Sequence, residues 1–209
     1  MKNKSNKAFS IIEILIWIFI FSLWLISVYA IIVTTIRIND YNSNYIVATN
    51  LAKEQIELIK NIRDSNYKVL KPFDLKNPNW DNFTDISERF LAWRYYKIEN
   101  IFWSNFPVKV DEIIWFNEWK DELNWDMLNY RLCIDTDINS NTYNMYTYDC
   151  NLDDKETEYY RFIYIDELYN DEDDSYNGNA YKIKSKVIWN KRWYHEFEIN
   201  TVLADWKRL

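Results

Sequence analysis

The sequence predicts an α+β fold: a long N-terminal transmembrane and amphipathic α-helix packed on a C-terminal antiparallel β-sheet. Three observations carry this. From Phe9 to Ile36 the only formal charge is Glu13. From Ile46 to Ile62 apolar residues recur at helical spacing. From Arg94 onward, segments rich in Tyr, Ile, Val and Phe often alternate as strands do. A chain of 209 residues suits one modest domain with an appendage. The expected divisions are a basic head (1–8), a transmembrane helix (9–36), its amphipathic continuation (37–66) and an exported β-sheet domain (67–209).

The head, MKNKSNKA, carries three lysines and no acid. The 28 residues that follow make a helix of about 42 Å, enough to cross a hydrocarbon core of about 30 Å. One membrane span is therefore expected. Lysines before it, against a lone Arg37 offset by Asp40 after it, place the N-terminus in the cytoplasm and the remaining chain outside. A secretory signal has an apolar core of about 7 to 15 residues and a small-residue cleavage site beyond it. Here the core is about twice as long and the small residue, Ala8, precedes it, so the span is expected to survive processing. Glu13 is its one defect, since an ionisable group at mid-membrane costs roughly 2.5 to 3.5 kcal/mol; it is either kept for a partner or close enough to the cytoplasmic interface to snorkel.

The string Lys7-Ala8-Phe9-Ser10-Ile11-Ile12-Glu13-Ile14-Leu15-Ile16 resembles the prepilin cleavage and methylation motif of type IV pilins and of the pseudopilins of type II secretion. That motif is a short basic leader, a small residue, phenylalanine, and glutamate as fifth residue of the mature chain. The resemblance implies cleavage between Ala8 and Phe9 by a prepilin peptidase, methylation of the new Phe9 amine, and assembly through a pilus platform with other pilin subunits. It also implies a partner for Glu13, namely the N-terminal amine of a neighbouring subunit in the filament core. Alanine stands at position 8, where the family nearly always has glycine.

Beyond the span, the polar stretch Asn39 to Asn44 has no proline, so the helix either continues or loosens there. Val47, Leu51, Leu58 and Ile62 then share one face, with Ala52, Ile56 and Ile59 beside it and Lys53, Glu54, Glu57 and Lys60 opposite. The apolar repeat is too short for a coiled coil, so packing onto a sheet is expected. The stretch from Asn50 to Asn66 resembles the second half of the long helix in minor pilin-like proteins. Residues 67–92 read as a connecting loop. Strands are expected at 94–101, 129–135, 158–165, 181–189 and 194–203, the last two as a hairpin across Asn190-Lys-Arg-Trp193. Val187-Ile-Trp189 and Asn200 to Lys207 resemble the closing strands of minor pilin-like proteins.

A net charge of -7 argues against a nucleic-acid backbone as the main partner. Cys133 and Cys150, the only cysteines, lie in the exported part, where an oxidising compartment favours a disulfide. No metal and no cofactor is expected: the single histidine, His195, sits in an expected strand away from both cysteines. Asp135-Thr-Asp137-Ile-Asn139-Ser-Asn141 has the alternating oxygens of a calcium loop without its glycine or distal glutamate, and reads as a solvated turn. The acidic run Asp171 to Asp174 reads as a solvated loop. With no nucleophile elbow, phosphate loop or dinucleotide fingerprint, the chain is expected to be structural and not an enzyme.

One glycine stands beside 11 tryptophans, where ordinary usage near ~7% predicts about 15 glycines. Trp80, Trp119 and Trp125 fall in turn contexts suited to glycine. The pattern predicts that UGA codons read as glycine have been written as tryptophan at Trp17, Trp24, Trp80, Trp93, Trp103, Trp115, Trp119, Trp125 and Trp193, while Trp189 and Trp206 are genuine. The alternative keeps the tryptophans. Trp93, Trp103, Trp115, Trp119 and Trp125 then form a sugar-stacking platform on a membrane-anchored extracellular binding module, of carbohydrate or adhesin type.

Overall fold

The computed structural model describes residues 11–77, 89–100, 108–113, 130–170, 175–191 and 194–205. Among these residues lie one helix, α1 (Ile11–Lys68), and seven strands: β1 (Arg94–Asn100), β2 (Val108–Ile113), β3 (Arg131–Ile134), β4 (Tyr146–Thr147), β5 (Lys155–Asn170), β6 (Ser175–Asn190) and β7 (Tyr194–Ala204). The architecture is α+β, a long N-terminal helix and an antiparallel sheet, as the sequence predicts. The chain divides after Asn44 into two compact units, the second running from Tyr45 to Leu209.

α1 is continuous for 58 residues, so the helix does not loosen at Asn39 to Asn44. It ends where Leu70 turns to φ 57° and the Lys71 N–H donates to the Asn66 carbonyl at 2.9 Å, the wrap that satisfies a helix's last carbonyls. In the second unit Ala48, Leu51, Ala52, Gln55, Ile59, Ile62 and Asn66 form a buried stripe at three- and four-residue spacing, widened by the buried Ile56, Leu58 and Tyr67.

That face packs on the sheet, whose longest strands, β5 and β6, run antiparallel in continuous register from Tyr159↔Trp189 to Glu167↔Tyr181. Side chains alternate across a strand. Tyr159, Ile163, Ile165, Ile183, Val187 and Trp189 accordingly join the two cores built on α1, while Tyr160, Phe162 and Ile188 form a third cluster with Ile113. β5 organises the sheet, pairing β6 along one edge and β1 and β3 in succession along the other, with β2 outside β1, β4 outside β3 and β7 outside β6. The expected β6–β7 hairpin forms, closing at Asn190↔Tyr194.

Sequence reading missed β2 and β4. β2 (VKVDEI) mixes charges into an edge position, and β4 is two residues long, too short for periodicity to register. β5 and β6 extend to 16 residues each, well past their expected bounds. Within 67–92, Leu75 and Arg89 form an isolated antiparallel bridge.

Candidate functional site

The first part of α1 is long and apolar enough to cross a membrane, and its large side chains, from Ile11 and Ile12 to Ile36 and Ile38, are exposed in the isolated chain. Its described serine and threonine hydroxyls serve themselves. Ser22 donates to Ile18 O at 2.8 Å, Ser27 to Leu23 O at 3.0 Å, Thr34 to Ala30 O at 2.8 Å and Thr35 to Ile31 O at 2.9 Å. Each returns to the carbonyl one turn back, which satisfies these four serine and threonine donors in a lipid-like medium. Glu13, in the first turn of α1, has no ion-pair partner among the described residues. Ala8 and Phe9 lie outside the described residues.

The structure places Cys133 on β3 and Cys150 beyond β4, bonded to each other with Cα atoms 5.6 Å apart. Closing a loop of this size stabilises the fold by about 3 kcal/mol on the chain-entropy estimate. Within the loop the Asp135 carboxylate is taken by its own neighbours: the Asp137 N–H donates to it at 2.9 Å and the Thr142 hydroxyl binds its other oxygen. Hydrogen bonds from Ser140, Thr142 and the Asp137 backbone hold that carboxyl below its ordinary range. Among the described residues no group of three or more His, Cys, Asp or Glu is placed to hold a metal ion; the acidic run Asp171 to Asp174 lies outside them. His195 is a half-buried strand residue stacked on Trp189 at 5.2 Å between ring centroids.

A polar network that sequence reading did not find pins α1 to the sheet. Ser185, fully buried on β6, donates towards Gln55 Oε1 at 2.7 Å and the Ala52 carbonyl at 3.2 Å. Gln55 Nε2 donates to the Tyr148 hydroxyl at 3.4 Å, which in turn donates to the Arg161 carbonyl at 2.7 Å. Arg161 is fully buried, stacks over the Tyr148 ring at 5.3 Å and reaches Glu54 on α1 at 2.8 Å. Burial works against the guanidinium charge, but Tyr148 and Glu54 more than offset it and hold Arg161 above its ordinary range. Burial also pushes the Tyr148 hydroxyl up. The Tyr148 N–H and Thr147 hydroxyl donate to Glu99 Oε1, tying β4 to the end of β1. Two signals for this network stand in the sequence: Gln55 inside the apolar stripe of α1, and Arg161 between Tyr159 and Ile163 on the buried parity of β5. Neither names its partner across more than 90 residues of chain.

These groups lock a helix to a sheet. A cleft of about 300 Å³ beside Glu54 and Glu99 is also lined by Asn100, Thr142 and Thr147, polar groups of which Glu99, Thr142 and Thr147 are committed to internal hydrogen bonds. Comparison of the chain with protein-family models, with curated proteins and with solved structures finds no match.

Proposed function

We propose that the chain is a structural subunit, a minor pilin or pseudopilin, of a type IV pilus or type II secretion-like filament. The observation that carries this reading is the order Ala8, Phe9, Glu13 at the head of a continuous helix whose later turns pack on a sheet. Such a helix has two tasks: its apolar first part holds the subunit in the cytoplasmic membrane, N-terminus inside, and then stacks against other subunits once a prepilin peptidase has exposed the Phe9 amine. The packed part holds the globular domain through Gln55 and Glu54, which meet Ser185 and Arg161 of the sheet. No catalytic step is assigned to it.

Recovery of the protein in sheared surface filaments tests the reading. Wild-type protein is expected in the filament fraction when a prepilin peptidase is present and in the membrane fraction when it is absent. An anchored binding module stays in the membrane fraction in both cases, and that result would overturn the assignment.

A further inference from the structure

We infer that position 93 of the chain as its own ribosomes make it is glycine, specified by a UGA codon. This inference does not depend on the filament reading. Trp93 holds φ 61°, in the left-handed region that a residue with a Cβ occupies at a cost of roughly tenfold in equilibrium. It is the second central residue of the tight turn that leads into β1, a place where a positive φ calls for glycine. The Trp93 N–H donates to the Ile165 carbonyl at 2.7 Å, and Arg94 is the register partner of that same Ile165. The turn residue before β1 and the first residue of β1 thus meet the same residue of β5, and the turn residue is left-handed, the arrangement found where a glycine leads a bulge.

Burial does not offset the cost, because Trp93 is 56% exposed. The angle alone decides nothing: Asn144, at φ 62°, is a residue type that tolerates it, and Leu70 adopts φ 57° just past the end of α1. Among the described residues Asn144 shares this exposed turn setting, Asn144 and Met145 both bonding Asp135, but asparagine tolerates it; at Trp93 the same setting holds a tryptophan, in a chain of one glycine and 11 tryptophans. UGA is the codon that links the two residues, read as tryptophan in some codes and as glycine in others. Trp189 behaves oppositely. It is 1% exposed, packs with Ala48, Leu51 and Ala52 and stacks on His195, as a genuine tryptophan should. Position 93 is the one member of the sugar-stacking platform among the described residues, so glycine there removes an aromatic face from the binding-module alternative.

Two measurements test this. In protein isolated from its source, the tryptic peptide Phe90 to Arg94 should carry the mass of glycine at its fourth residue, and the gene should read UGA there; a peptide with tryptophan, or a UGG codon, overturns the inference. For the full chain produced as written, Trp93→Gly should raise the ratio of folded to unfolded protein about tenfold, whereas Trp93→Ala should not. A Trp93→Gly variant no more stable than Trp93→Ala would remove the conformational ground for it.

Discussion

Glu13→Gln is expected to reduce incorporation into sheared filaments at least tenfold relative to wild type, with the amount in the membrane unchanged or slightly raised. On the proposed reading the Phe9 amine and the Glu13 carboxylate neutralise each other across neighbouring subunits, in a core of apolar helices that holds little water. Glutamine keeps the size and polarity of the side chain but not its charge. The amine of the next subunit is then buried unpaired, at a cost of about 3 to 5 kcal/mol. The monomer gains, if anything, because a charge has been removed from its span. No other residue of the span supplies a compensating carboxylate, since Glu13 is its one acid. Immunoblots of filament and membrane fractions give the ratio, and equal incorporation of the two forms would sink the pairing.

Trp189→Ala is expected to cost about 3 to 5 kcal/mol, the range for deleting a large aromatic from a packed core. Trp189 is among the largest fully buried side chains, and it fills the space between the small helix residues Ala48 and Ala52 and the sheet. Alanine side chains are too short to refill the gap that its loss leaves. With total stabilities of about 5 to 15 kcal/mol, such a loss leaves the domain marginal. Hydrogen exchange in the full chain should show β5 and β6 amides losing protection together. A change confined to the β6–β7 hairpin would mean that Trp189 caps an edge and does not hold the core.

The helix was legible because its two halves each obey one rule: a nearly uncharged run long enough to span a bilayer, then a stripe at three- and four-residue spacing. β5, β6 and β7 were legible from alternation, and the pairing of β6 with β7 from the short turn after Asn190. Their full length was not. The ends of β5 and β6 are rich in charge and in Asn and Tyr, and only the neighbouring strand turns such residues into ladder. β2 escaped for the same reason, since an edge strand with Lys109, Asp111 and Glu112 has no sequence signal apart from its partner, and β4 because two residues are too few to show a period.

The candidate site was legible in a different sense. Glu13 stood out because a carboxylate in an apolar run needs a reason, and the cysteines because there were only two to pair. The Gln55, Tyr148, Arg161 and Ser185 network was not legible, since each partner arrives from a different element and only the fold brings them together. Gln55 in an apolar stripe marked the place without naming its neighbours.

Intact-mass analysis of the protein co-expressed with a prepilin peptidase tests the central claim most directly. The account predicts loss of Met1 to Ala8 and a mature chain that begins at Phe9 bearing one added methyl group. A product that retains Met1, in cells where the same peptidase processes a known prepilin, would contradict it.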